Sequence, residues 1–262
     1  MFLSFYKYQG TGNDFVVIDN REKIFPSDVN QLVSFLCDRK FGIGADGLIL
    51  LEKDDVTDFK MVYYNSDGNQ STMCGNGGRC IVAFAKHLKL ITKETTFIAV
   101  DGFHKAKIEG DIVSLQMQDV NHLTEKPNSL YLNTGSPHHV QLVNRVKDFD
   151  VRKEGERLRY GVYGKEGSNI NFVEKVAKDS FYVRTYERGV ENETLSCGTG
   201  VTAVALAMHH SGQASSNSVA ITTPGGQLEV SFIKDINKEG YSEIWLTGAA
   251  QLVYKGEIYV DA

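Results

Sequence analysis

Two short segments of this chain carry the same punctuation, Cys74-Gly75-Asn76-Gly77 and Cys197-Gly198-Thr199-Gly200, and each opens into an apolar run with helical spacing. Ile81, Val82, Phe84, Ala85 and Leu88 follow the first cysteine, and Val201, Val204, Ala205 and Met208 follow the second. Both sets predict a helix with one apolar face. Each predicted helix leads into a β-branched segment, at 95–100 in one half and 219–223 in the other. A turn glycine comes next, Gly102 or Gly225, in both cases 28 residues past its cysteine. A repeat of about 123 residues is domain-sized, so the chain reads as two related domains produced by internal duplication.

Composition narrows what such a pair of domains can do. A 42% hydrophobic content over 262 residues is enough for two real cores. No apolar run reaches 18 residues, and Met1-Phe2-Leu3-Ser4-Phe5 lacks a basic region and a small-residue cleavage site, which argues against a membrane partner and a signal peptide. The net charge of −5 is modest and the Lys and Arg residues are dispersed, which argues against a nucleic-acid partner and for a small or zwitterionic ligand. Four cysteines without a C-x-x-C pair do not form a disulfide framework, so reduced thiols and a cytoplasmic location are expected. Cys37 falls in an amphipathic helix at 29–37 that Ser27 can cap, and Cys80 falls six residues into the first cysteine-headed helix; both read as core thiols.

The rest of the chain is strand-rich. Strands are expected at 2–8, 15–19, 48–52 and 59–64, and again at 112–117, 139–143 and 181–186, separated by glycine-bearing turns. The crossover between halves falls near 119–126. The final segment, 252–260, can pair back into either sheet and is assigned to the first. The expected division is therefore 1–119 plus 252–262 for one domain and 120–251 for the other.

Paired thiols at helix starts suit proton transfer. A free thiol has a pKa of roughly 8.5, and the positive end of a helix with its unpaired N–H groups lowers it toward neutrality. If both thiols face one carbon, a thiolate removes a proton from one side while a thiol delivers another from the opposite side, inverting a stereocentre. The weak acidity of a Cα–H beside a carboxylate is met by the same helix ends, each contributing about half a positive charge where negative charge develops. No pyridoxal cofactor is then required. Gly42-x-Gly44-x-x-Gly47 is a weak nucleotide-loop match because it precedes a strand instead of opening a helix.

Seven motifs in order, Thr11-Gly12-Asn13-Asp14-Phe15, Asn65-Ser66-Asp67-Gly68, Met73-Cys74-Gly75-Asn76-Gly77-Gly78-Arg79-Cys80, Gly135-Ser136-Pro137-His138, Asn169-Ile170-Asn171-Phe172, Thr185-Tyr186-Glu187-Arg188-Gly189 and Cys197-Gly198-Thr199-Gly200, resemble the motif set of the diaminopimelate epimerases over essentially the whole chain. The resemblance implies an α+β fold of two pseudo-symmetric domains, each a mixed, mostly antiparallel sheet wrapped around a central helix, with the active site in the interdomain cleft. It implies cofactor-free and metal-free interconversion of LL- and meso-2,6-diaminopimelate, with Cys74 and Cys197 as the acid/base pair and His138 and Glu187 supporting them. Gly75, Asn76, Gly198 and Thr199 would bind the reacting carboxylate, Glu187 the reacting ammonium and Arg188 the distal carboxylate. Asn13, Asn65 and Asn169 would complete the pocket, and Tyr254 would sit at a homodimer contact.

Judged alone, these residues have plainer readings. Asn13, Asn65 and Asn169 lie in polar or glycine-bearing segments where Asn often serves the turn itself, and Glu187-Arg188 reads as a solvated pair. His138 reads as a loop histidine. His209 and His210 read as partners of the second helix's negative end.

The chain also departs from the family pattern. Gly47 stands where many members have glutamine, Ser136 where asparagine is common, and one extra residue falls within 189–194. Two other functions compete. One is a cofactor-independent racemase acting on proline or hydroxyproline; the other is a thiol redox or metal-binding protein using Cys74, Cys197 and His138, against which the missing ligand spacing counts.

Overall fold

The computed structural model describes residues 1–26, 29–234 and 240–260. The chain divides into two compact units, Met1–Leu115 with Gly248–Ala262, and Gln116–Thr247.

In the first unit, strands Phe2–Gly10 and Asn13–Asp19 form a hairpin closed by Thr11 and Gly12, whose φ values of 50° and 83° give the twist that a two-residue hairpin needs. Asn13–Asp19 runs parallel to Gly47–Glu52, and helix α1 (Asn30–Cys37) makes the crossover between them. Ser27, expected to cap α1, lies outside the described residues. Gly47–Glu52 pairs antiparallel with Phe59–Asn65, and Phe59–Asn65 runs parallel to Glu94–Ala99 through helix α2 (Gly75–His87). Glu94–Ala99 then turns back into Gly102–Glu109. The closing strand Gln251–Tyr259 pairs antiparallel with Phe2–Gly10.

The second unit repeats this plan element by element. Hairpin Ser129–Asn133 and Pro137–Leu142 is followed by a parallel pairing with Asn169–Ala177, bridged by helix α3 (Val151–Gly161). Asn169–Ala177 pairs antiparallel with Ser180–Glu187, which runs parallel to Ser218–Thr223 through helix α4 (Gly198–His210). Ser218–Thr223 turns back into Gly226–Lys234. Parallel strands need a crossover, and both units place a helix in each one. The shared order of two parallel crossovers within otherwise antiparallel pairings is the structural form of the duplication.

The repeat differs from the sequence expectation by one residue at the second glycine turn. Ala99 pairs with Gly102 in the first unit, and the equivalent pair in the second is Thr223 with Gly226, not Gly225. Both Gly102 and Gly226 have positive φ, 117° and 143°. The α4 helix also departs from a one-faced pattern, because every residue from Val201 to Met208 is buried. Strands at 129–133, 137–142, 169–177, 180–187, 218–223 and 226–234 all pack against it, so no face is left for solvent.

Candidate active site

In the first unit, Cys74 caps α2. The Gly77 N–H donates to Cys74 Sγ at 3.2 Å, so the sulfur takes the place that a serine or aspartate oxygen usually fills at a helix start. Gly77 is glycine for the sake of that sulfur, since a Cβ there would stand 3.2 Å from Cys74 Sγ and 3.3 Å from Ile49 Cδ1. The next residue but one, Asn76, is buried; its Nδ2 donates to Asn13 Oδ1 at 3.3 Å. Asn13 in turn donates to Asp46 Oδ2 at 2.6 Å. The glycine loop at 42–47 therefore serves to hold Asn13. Lys7 donates into that loop at the Gly44 carbonyl, while Arg39 bridges Asp46 and Asp14 at 2.7 Å each. Burial pushes the Asp14 carboxyl up, but hydrogen bonds from Arg39 and Lys7 outweigh it and hold the group at about 2.

Asn65 stands apart from this cluster. It is exposed at the end of its strand, its backbone closes the turn to Asn69, and in register it faces Gly47. That register explains the departure at Gly47: a Cβ there would come within 2.6 Å of both the Tyr63 ring and the Tyr64 carbonyl oxygen. No side chain fits at this position in this chain.

In the second unit, Cys197 is the cap residue of α4, with its Sγ 3.5 Å from Thr199 Oγ1. Thr199 Oγ1 lies 3.0 Å from His138 Nε2, and His138 Nδ1 lies 3.2 Å from Asn171 Nδ2. Bond directions follow from the partners. Asn171 Oδ1 accepts from Thr185 Oγ1 at 3.0 Å and Asn171 Nδ2 donates to the His139 carbonyl at 2.9 Å, which fixes the amide with its N–H toward the ring. Nδ1 of His138 therefore accepts, and the ring proton sits on Nε2 and points at Thr199. The Thr199 hydroxyl, accepting from the ring, keeps its own proton to donate to Cys197 whenever that thiol is ionised. His138 is fully buried, and burial, helped by the nearby Arg188 charge, lowers it to about 3, so the ring is neutral near pH 7. The chain thus reaches the sulfur through neutral groups, the His138 ring and the Thr199 hydroxyl.

Gly200 matches Gly77 in role. A Cβ at Gly200 would stand 2.6 Å from Asn171 Oδ1 and 3.4 Å from Cys197 Sγ. The glycine three residues after each cysteine keeps space for the thiol in the first unit, and in the second for the amide that orients His138.

The remaining second-unit residues form a connected group. Asn169 donates to Ser136 Oγ at 2.7 Å and to the Pro137 carbonyl at 3.2 Å, and its Oδ1 accepts the Arg188 N–H at 2.9 Å. Ser136 Oγ is also 3.4 Å from His138 Nε2. Arg188 is exposed and donates to the Glu166 carbonyl at 2.8 Å. Glu187 Oε2 accepts from Thr194 Oγ1 at 2.8 Å across a hairpin in which Glu187 pairs with Asn192. The segment with the extra residue is the tip of that hairpin, turned by Gly189 and Glu191 at φ 94° and 54°.

The other thiols are inert by environment. Cys37 and Cys80 are buried; burial raises Cys37 to about 12 and pushes Cys80 higher still. His209 differs from a charged dipole partner: burial lowers its pKa, and its Nδ1 lies 3.0 Å from the Tyr241 hydroxyl. His210, 3.0 Å from a Glu125 carboxylate oxygen, keeps an acidic partner. Among the described residues no group of three or more His, Cys, Asp or Glu is arranged to hold a metal ion, and no helix is long and apolar enough to cross a membrane.

Asn171, Thr185 and Arg79 lie within the sequence motifs but carry no role there; their contacts give them one. Asn171 shares a strand face with Asn169 two residues earlier, and that alternation was the available signal.

Two solved structures share this fold at low identity. A PhzF-family phenazine biosynthesis protein from Bacillus anthracis superimposes with a TM-score of 0.81 at 12% identity, covering 99% of this chain and 100% of that one. A hydroxyproline epimerase from Agrobacterium vitis gives 0.72 at 15% identity, covering 100% and 93%. The protein is thus an α+β chain of the two-unit fold that these structures share. The family model for diaminopimelate epimerase matches residues 5–123 and 130–253, and the chain belongs to that family. Diaminopimelate epimerases of Flavobacterium psychrophilum and Chlorobaculum tepidum are 58% and 42% identical to it, covering 98% and 95% of this chain and 100% and 98% of theirs.

Proposed function

We propose that this chain is an isomerase that inverts one α-carbon of 2,6-diaminopimelate, interconverting the LL and meso forms without a cofactor. The observation that carries the reading is full-length membership of the epimerase family combined with a thiol seated on a helix start in each unit. Cys74 and Cys197 are the two catalytic residues, one removing the α-proton and the other supplying its replacement; the direction of turnover decides which acts as base. N–H groups at a helix start have no acceptor within the helix, so Gly75, Asn76, Gly198 and Thr199 receive the reacting carboxylate as charge develops on it.

His138 supports Cys197 through Thr199. Glu187 takes the reacting ammonium, and Arg188, its backbone held by Asn169, takes the distal carboxylate through a planar guanidinium suited to two parallel hydrogen bonds. Asn13 and Asn65 complete the recognition of the substrate. The need for free thiols favours the reducing cytoplasm. A homodimer is supported by Leu252, Val253 and Tyr254, three consecutive exposed apolar residues on Gln251–Tyr259.

The test is direct. Purified protein incubated with LL-diaminopimelate should form the meso isomer, and L-proline should remain unchanged. Inversion of proline or hydroxyproline with none of diaminopimelate would assign the chain to the other racemases of this fold.

A further inference from the structure

Arg79 lies five residues past the first cysteine, on α2, and is wholly buried. Its side chain folds back toward the helix start. One terminal nitrogen donates to the Gly75 carbonyl at 3.1 Å; the other donates to Asn76 Oδ1 at 2.9 Å and to Thr11 Oγ1 at 3.2 Å; Nε has no acceptor. All three acceptors are neutral, and among the described residues no carboxylate forms an ion pair with this guanidinium. Gly10 makes the room, since a Cβ there would stand 3.2 Å from the guanidinium.

This placement is unfavourable twice over. A guanidinium taken out of water exchanges its hydration here for three neutral acceptors and no counter-ion, which leaves its charge uncompensated. It is also delivered to the end of a helix that already carries positive partial charge. Both penalties fall when an anion occupies the start of α2. Burial lowers Arg79 to about 10, which leaves it charged near pH 7.

We infer that Arg79 is a positioning residue whose buried charge, together with the start of α2, stabilises the anions formed there: the Cys74 thiolate and, during turnover, the reacting carboxylate. The carboxylate half rests on the epimerase reading; the thiolate half stands without it. Arg79 also fixes the Asn76 amide by binding its Oδ1, which turns Nδ2 toward Asn13.

The other ionisable groups around α2 do not supply the missing counter-ion. Cys80 and Tyr8 are pushed well up by burial and stay neutral. Asp14 is occupied by Arg39 and Lys7, Glu52 pairs with Lys60, and Asp101 is 3.3 Å from His104 Nε2. Lys255 and Glu257 on Gln251–Tyr259 are exposed.

The experiment follows alkylation of Cys74 by iodoacetamide against pH, read by peptide mass spectrometry on the full chain without substrate. Arg79→Met and Arg79→Gln are expected to slow the reaction near pH 7 about tenfold and move its midpoint up by about one pH unit. Arg79→Lys should stay within about threefold of the parent, and Cys197 should shift much less in all three variants. A folded Met or Gln variant whose Cys74 profile superimposes on that of the parent overturns the inference. If neither neutral variant folds, the unmodified protein decides through its two helix-start thiols: a Cys74 midpoint about one pH unit below that of Cys197 supports the inference, and one at or above that of Cys197 overturns it. Because no substrate is present, failure here is separate from failure of the epimerase reading, which turnover of diaminopimelate tests.

Discussion

Replacing Thr199 with valine keeps the branched shape and removes one hydroxyl. That oxygen lies 3.0 Å from His138 Nε2 and 3.5 Å from Cys197 Sγ, so its loss strikes both ends of the donor chain. A hydrogen bond to a charged acceptor contributes about 1.5–3 kcal/mol, and sulfur at this longer separation belongs at the lower end. About 1.4 kcal/mol is one power of ten, so the thiolate fraction of Cys197 near pH 7, and with it the alkylation rate, should fall about tenfold. The His138 N–H also loses its acceptor, with only Ser136 Oγ at 3.4 Å to replace it, which adds about 1 kcal/mol of lost stability and a few degrees in Tm. Thr199→Ser restores the hydroxyl and should recover both quantities. The assay is pH-dependent alkylation of Cys197 with thermal melts of the same samples. A valine variant with the parent's alkylation profile would refute the donor chain. A serine variant that behaves like valine would assign the effect to packing.

Gly200→Ala sets a Cβ 2.6 Å from Asn171 Oδ1, so kcat should drop at least about tenfold with about 1–3 kcal/mol of lost stability, whereas Gly77→Ala, 3.2 Å from the Cys74 sulfur, should cost activity more than stability; steady-state kinetics and melts separate the two. Asp14 has a folded-state pKa held down to about 2, so its stabilisation is complete above the unfolded value near 4 and is lost as pH falls toward 2. Asp14→Asn should therefore lose about 1–2 kcal/mol near pH 7, after allowance for solvent screening, and should flatten the fall of the urea midpoint across that acid window. Cys37 and Cys80 should resist alkylation under native conditions and react fully in denaturant; ready native labelling of either would contradict their burial.

Much of this architecture is legible in the chain because local chemistry and tertiary environment agree. The Cys-Gly-x-Gly segments mark true helix starts, and in the first the glycine three residues on makes room for the thiol that the same segment supplies, whereas in the second it makes room for Asn171. Helix α3 is not legible in the sequence because its buried apolar residues are few, Val151 and Leu158, and its interior Gly155 argues against a helix. That glycine is imposed from elsewhere: a Cβ there would stand 2.4 Å from Tyr186 Cβ. The readable signals were Asp150, whose side chain caps at the Lys153 N–H at 3.1 Å, and the repeat itself, since α3 occupies the place of α1.

Site residues divide in the same way. Those attached to a motif with its own geometry, Cys74, Asn76, Cys197 and Thr199, stand at the helix starts where the sequence puts them. Arg79 and Asn171 could not be given roles, because what distinguishes them is a missing counter-ion and a fixed amide orientation, both properties of contacts distant in the chain. Gly47 shows the converse. Its departure from the family pattern reads as a lost contact in sequence and becomes, in space, a position that Tyr63 and the Tyr64 carbonyl leave no room to fill.

If two thiols share one inversion, the fate of solvent deuterium in the first turnovers records it. LL-diaminopimelate incubated in deuterated water should give meso product carrying deuterium at the inverted α-carbon, while the unreacted LL substrate stays largely unlabelled, and both Cys74→Ala and Cys197→Ala should fold and fail to invert. Unlabelled product from the parent, or stereoinversion persisting in either variant, would contradict the account.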